Sequence, residues 1–102
     1  MGYWILDANG NEVAVDLMTW AQWFEDHDRR IARTDIAAGA YVSTVFVGID
    51  LGHGIGPPLL YETMVFGGPL DSDCRRASTR AEAQADHQEL VALAASEANR
   101  KP

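Results

Sequence analysis

Tyr41-Val42-Ser43-Thr44-Val45-Phe46-Val47-Gly48-Ile49 and, after a nine-residue connection, Leu59-Leu60-Tyr61-Glu62-Thr63-Met64-Val65-Phe66 form the stretch that decides the fold. Both runs are rich in β-branched and aromatic residues, and both are apolar at odd and even positions alike. That pattern predicts strands covered on both sides or placed at a partner interface. Between them lies Asp50-Leu51-Gly52-His53-Gly54-Ile55-Gly56-Pro57-Pro58. Three glycines and two closing prolines exclude a helix, so the segment is read as an exposed loop joining paired strands.

Working outward, Ile31 to Ile36 reads as a strand separated from the central pair by the Ala38-Gly39 turn. Gly67-Gly68-Pro69 ends the pair, and Leu70 to Ala77 is a polar link with room for a short edge strand. At the amino-terminal side, Tyr3 to Leu6 and Val13 to Val15 flank the Asn9-Gly10 turn signal and predict a β-hairpin whose five polar residues exceed the ideal two-residue turn. Asp16 is placed to cap a helix over Leu17 to Arg29, in which Leu17, Trp20, Ala21 and Phe24 share a face that Trp23 widens. Arg29, Arg30 and Arg33 stand at its negative end, where cations are favoured. Thr79 and Glu82 have capping-box spacing. Ala83, His87, Leu90, Val91 and Ala94 then share one face of a second helix over Thr79 to Ala98. The order ββαβββα predicts an α+β two-layer sandwich, an antiparallel sheet with two helices packed on one face.

A chain of 102 residues holds one core, so a single domain over 1–102 is expected, with 99–102 frayed. Apolar residues at 47% and charged residues at 23% exclude a disordered tail or a fibrous repeat. The lone Cys74 leaves no internal disulfide and no multi-cysteine zinc site. No basic start followed by an apolar run and no 18-residue apolar stretch occurs, so neither a signal peptide nor a membrane span is expected. The net charge of −7 is uneven: residues 1–28 hold six acids and no base, residues 35–73 hold five acids and no base, and arginines gather at 29–33 and 75–80. Such a chain repels free nucleic acid, whose affinity comes from Lys and Arg on phosphates, and attracts a partner with a basic surface. The two arginine clusters retain the capacity to converge into an anion site.

Individual side chains offer few chemical candidates. His27 lies in Glu25-Asp26-His27-Asp28, but three histidines in the chain are too few for a metal-dependent phosphohydrolase site, and a solvated surface is the plainer reading. His87, on an apolar helix face, reads as a hydrogen-bonded core histidine. Asp50 and His53 sit in a glycine-rich loop whose amides have the potential to cradle phosphate, although the loop lacks the lysine, spacing and helix of a P-loop. Glycines serving positive φ are the simpler account. Glu62 interrupts an apolar strand, which calls for an ion-pair partner among Arg33, Arg75 and Arg76 or for a ligand-binding role. Cys74 beside Arg75 and Arg76 is a surface thiol. No catalytic residue, metal ligand or cofactor is assigned.

Three blocks, Asp16 to Glu25, Val42 to Phe46 and Pro57 to Gly68, together with Ser78-Thr79, Glu82-Ala83 and His87, resemble a family of small hypothetical proteins of tailed phages and prophages. The resemblance spans Tyr3 to Leu93. It implies a phage setting and hence the bacterial host cytoplasm, and it supplies no catalytic residues. The function expected is an accessory protein acting by binding, in its most concrete form an acidic inhibitor of a host defence complex of the anti-CRISPR kind. Glu25, Asp26, Asp28, Asp71 and Asp73 are the expected contact residues. A small nucleotide-binding or hydrolytic protein using Asp50, His53, Glu62 and the arginines Arg33, Arg75 and Arg76 is the first alternative. A virion or morphogenesis component is the second, and a homodimer fits the strands that are apolar on both faces.

Overall fold

Burial alternates strictly along the central strands, and this sets the layers. The computed structural model describes residues 2–98, so the fraying expected of 99–102 lies outside the described residues. The elements run β1 (Tyr3–Leu6), β2 (Glu12–Val15), α1 (Leu17–Asp26), β3 (Arg30–Asp35), β4 (Tyr41–Phe46), β5 (Tyr61–Phe66), β6 (Cys74–Ala77) and α2 (Arg80–Ala98). The architecture is α+β. The polar link after Gly68 contributes the edge strand β6, so the order is ββαββββα, one strand more than ββαβββα.

Strands β3-β4-β5-β6 form one antiparallel sheet, and β1-β2 form a separate hairpin. Val42, Thr44 and Phe46 of β4 and Tyr61, Thr63 and Val65 of β5 point to one face and are buried. There they meet Ala83, His87, Leu90 and Ala94, the buried stripe of α2. Alternation with period two on the strands and a stripe at i, i+4, i+7, i+11 on the helix are thus two halves of one core. Trp23 of α1 meets the ring of Phe46 edge-on, with centroids 5.6 Å apart, which places α1 on the same side of the sheet. Neither helix packs on the opposite face.

Local signals set the element ends. Asp16 Oδ1 accepts the amide of Thr19 at 2.8 Å and starts α1. The helix stops at Asp26, earlier than Arg29, because His27 is extended. Arg29 instead donates to the carbonyl of Phe24 at 2.8 Å and satisfies one of the orphan acceptors at the helix end. At α2 the Thr79 hydroxyl accepts the Glu82 amide at 3.2 Å and donates to the Glu82 carboxylate at 2.9 Å. The hairpin turn is closed by Asp7, whose Oδ1 accepts the amides of Asn9 and Asn11, both at 2.9 Å.

Gly48 joins the two sheets. Its φ is +75°, and a Cβ there would overlap the Trp4 carbonyl and the Trp20 indole nitrogen. The close approach permits Trp4 to donate its amide to the Gly48 carbonyl at 2.9 Å and the Trp20 indole to donate to the Val47 carbonyl at 3.3 Å.

One polar chain crosses the core. Thr63 and Thr44 hydroxyls lie 2.7 Å apart, Thr44 Oγ1 lies 2.8 Å from His87 Nδ1, and His87 Nε2 lies 2.9 Å from Thr34 Oγ1. His87 is only 6% exposed. Burial lowers its pKa below the usual 6.5, so the ring is held neutral, one nitrogen donating and the other accepting.

Two outcomes are expected. Thr44→Val, which strips hydrogen-bond partners from both His87 and Thr63, should cost about 1–3 kcal/mol in denaturant unfolding. Because the folded pKa of His87 is depressed, its contribution is complete above the unfolded value of 6.5 and is lost as pH falls below it towards the folded value. The melting temperature should therefore drop between about pH 7.5 and about pH 5.5, and His87→Gln should flatten that slope.

Candidate functional site

The glycine-rich loop is organised from inside by Asp50. Its Oδ1 accepts the amides of Gly52 at 2.8 Å and Leu59 at 2.9 Å, and its Oδ2 accepts the amide of Gly54 at 2.8 Å. The three amides, those of Leu59 and Gly52 first, hold its carboxyl below the usual carboxylate range. The simpler account of this loop fits what is seen, with Gly54 and Gly56 at φ +82° and +70°, and the amides weighed for a phosphate cradle are taken. These amides exist, but they already enclose an anion belonging to the chain, which leaves Asp50 occupied as an acceptor. His53 is exposed at φ +56°, a left-handed conformation that costs a side chain about 1–2 kcal/mol. With Asp50, Trp4, Gly2, Gly54 and Pro58 it lines a mostly apolar pocket of about 540 Å³. Among the described residues, neither Glu62 nor any arginine borders this pocket. Of the six residues of the nucleotide-binding alternative, only Asp50 and His53 are brought together here.

The arginines are divided between the two faces of the sheet. Arg75, on the helix-covered face, pairs with Glu89 and lies 3.9 Å from Asp86, both on α2. Arg76, one residue on, faces the other way and donates to Glu62 Oε2 at 3.1 Å. Glu62 thus has an ion-pair partner across the β5–β6 ladder, where the two residues are in register. Arg33 lies at the far edge, on β3. Its guanidinium sits 3.9 Å from the centre of the Tyr41 ring and bonds Asp35 at 3.2 Å. Tyr41 stacks in turn on Phe66, with centroids 4.8 Å apart and planes 17° from parallel. Arg33 and Arg76 do not converge, because β3 and β6 are opposite edges of a four-stranded sheet, about 14 Å apart, and Arg75 faces α2.

The uncovered face is ordered by register into three rows. One joins Asp35, Tyr41 and Phe66, and the middle one joins Arg33, Ser43, Met64 and Cys74. The third joins Arg30, Val45, Glu62 and Arg76.

The five acids expected to share a surface are separated. Asp28 precedes β3, close to the Phe46–Tyr61 end of the sheet, whereas Asp71 and Asp73 belong to the turn beyond Phe66. Five residues of strand, about 17 Å, lie between those ends. Asp71 is also occupied, accepting the Gly67 amide at 2.6 Å. Asp28 accepts the Arg30 amide at 3.0 Å. Glu25 and Asp26 are exposed at the end of α1. At its start, Leu17 and Met18 are 50% and 74% exposed, and α1 has no fully buried residue.

A second cleft, of about 550 Å³, escaped the sequence reading. It lies between the hairpin turn, the end of α1 and the start of α2, and His27, Trp23, Asp28, Asp7 and Arg80 line it. His27 stacks on Trp23 with centroids 4.8 Å apart and has Nδ1 2.9 Å from the Trp23 carbonyl. Nearby, the Tyr61 hydroxyl is fully buried with no hydrogen-bond partner, and burial pushes its pKa up to about 12. The nearby Glu12 carboxylate also raises it, and the Arg80 cation acts in the opposite sense. A cation in the first turn of a helix opposes the macrodipole, and Arg80 was the one signal of this cleft in the sequence. Among the described residues no group of three or more His, Cys, Asp or Glu side chains is arranged to hold a metal ion, and no helix is long and apolar enough to cross a membrane.

Comparison with protein families, with curated proteins and with solved structures gives no match.

Asp50→Ala should lower the melting temperature and leave three amides facing an empty space. Added sulfate should then raise the variant's melting temperature more than the parent's, a difference measurable by thermal shift.

Proposed function

We propose that the protein is a phage or prophage accessory factor that acts by binding, and that its acidic amino-terminal module docks on a basic surface of a host protein complex. The observation that carries this reading is the state of α1. A helix with no fully buried residue exposes Leu17 and Met18 at one end and the carboxylates of Glu25 and Asp26 at the other. It lies in a stretch, 1–28, that contains six acids and no base. An apolar patch about two helical turns from exposed carboxylates suits a partner surface with an apolar patch next to a basic one.

The surface differs from the one expected of the sequence. Asp71 and Asp73 drop out because they lie at the other end of the sheet, and Leu17 and Met18 join Glu25, Asp26 and Asp28. Carboxylates presented in this way resemble the charge pattern of phosphates, so a groove that normally holds nucleic acid is a fitting target. An inhibitor of a host defence complex of the anti-CRISPR kind is the concrete form of the proposal. The protein itself contacts no nucleic acid in this scheme.

The test is to mix the protein with a host CRISPR effector and follow target-DNA binding. Inhibition is expected, with association slowing on the order of tenfold or more as salt rises. Glu25→Lys with Asp26→Lys, or Met18→Asp alone, should abolish it. Undiminished DNA binding by the effector, or inhibition untouched by these substitutions, would overturn the reading.

A further inference from the structure

The pocket beside the glycine-rich loop is held in shape by the chain itself. Its two walls come from distant segments, Gly2 and Trp4 at the start of β1 and Asp50, His53, Gly54 and Pro58 of the loop. The residues just before the loop fasten them together. Trp4 donates its amide to the Gly48 carbonyl at 2.9 Å, and Tyr3 forms a bridge with Ile49. On the loop side, Asp50 holds the amides of Gly52, Gly54 and Leu59, which sets the course of that wall. The same course places His53, a residue with a full side chain, at φ +56°. Backbone strain of this kind clusters where ligands are gripped. A volume of about 540 Å³ is within the range of small-molecule sites.

Charge and ring chemistry select the ligand. Among the described residues, Asp50 is the one formally charged residue that lines the pocket, and its amide bonds keep it ionised at neutral pH. Three amides take three of the roughly four lone-pair positions of a carboxylate and leave its charge in place. The lining residues belong to stretches 1–28 and 35–73, which contain no Lys or Arg. An anion entering here therefore meets a like charge and no arginine or lysine to answer its own. A neutral apolar ligand would cover the carboxylate without compensation, which is costly. A divalent metal ion would find one carboxylate where it needs several oxygens. An organic cation meets both conditions, because its charge answers Asp50 and Trp is the ring that attracts cations most strongly.

We infer that this pocket binds a small organic cation, an ammonium carried on an apolar or aromatic body, between Asp50 and the Trp4 ring. His53 and Pro58 flank it. The site is separate from the surface of α1, and neither depends on the other.

The experiment is a titration of the full isotope-labelled chain with benzyltrimethylammonium, followed by NMR. Saturable shifts are expected at the Gly54 amide and the Trp4 indole, with a Kd of roughly 0.1–1 mM. Benzenesulfonate, similar in size and opposite in charge, should leave both signals unmoved. His53 is exposed, so the charge at the rim is changed there without disturbing the core. His53→Asp should lower the Kd by about threefold or more, and His53→Lys should raise it by about tenfold or more. Trp4→Phe keeps a ring with a weaker pull on cations and should raise the Kd by about threefold. If that variant fails to fold, the His53 pair decides the matter. An end-blocked lysine peptide should bind about tenfold more weakly than benzyltrimethylammonium, because a primary ammonium is strongly hydrated. Tighter binding of the peptide would overturn the small-molecule assignment and give the pocket to a protein side chain. Absence of shifts, equal shifts with benzenesulfonate, or a Kd indifferent to both His53 variants would overturn the inference altogether. None of these results bears on inhibition through Glu25 and Asp26, which is read in a separate assay.

Discussion

The contact between His87 and Thr44, 2.8 Å long and buried where α2 crosses the sheet, is the constraint around which the molecule is arranged. Apolar packing alone would let α2 slide along the sheet, because Ala, Leu and Val make few demands on position. A neutral imidazole with a hydroxyl at each nitrogen does not slide without losing both bonds. Thr44 passes the chain on to Thr63, and Thr34 closes it at the other end, so β3, β4, β5 and α2 are held at one relative position. With that position set, Ala83 faces the Phe46–Tyr61 end of the core, and Leu90 and Ala94 face Val42 and Val65.

Much of the chain's acidity works on its own backbone. Asp7 closes the hairpin turn, Asp16 starts α1, Asp50 fills the long loop and Asp71 holds the turn after β5. In each case a carboxylate satisfies amides that neither a helix nor a sheet would satisfy. Acids read as a coat for a partner are in these positions internal ligands. What is left for interaction is narrower, Glu25 and Asp26 at the end of an under-buried helix, and the open face of the sheet, where Arg30, Arg33 and Arg76 stand against Asp35 and Glu62. The two surfaces are of opposite character, one acidic and one with a small excess of arginine.

The fold was largely legible because its signals are local. Asn9-Gly10, Asp16 ahead of an apolar stripe, and Thr79 ahead of Glu82 each mark an element end through chemistry that acts over three or four residues. The strand at Cys74–Ala77 was less visible, since Arg75 and Arg76 within a four-residue run resemble a link. It forms because the β5 edge offers unpaired amides and carbonyls and because each arginine finds a carboxylate, Glu89 on one face and Glu62 on the other. Candidate sites were harder to read. Asp50 and His53 were noticed for their loop, yet the direction of the loop's amides depends on closure over nine residues. The cleft around Arg80 unites residues from three distant segments, and no local pattern announces it.

Sequence by itself determined most of the elements, all but the edge strand β6, and the identity of the two-faced strands, because periodicity and capping are properties of neighbouring residues. It also determined that Glu62 needs a partner, since a carboxylate in an apolar strand cannot remain alone. Tertiary structure decided which arginine answers it. Strand order puts Arg76 in register with Glu62, turns Arg75 to the helix and leaves Arg33 two strands away with Tyr41 and Asp35. It also decided that the acids at 25–28 and 71–73 lie at opposite ends of the sheet. Pairing across strands is set by hydrogen-bond register and by which face α2 covers, and both arise only when segments far apart in the chain meet.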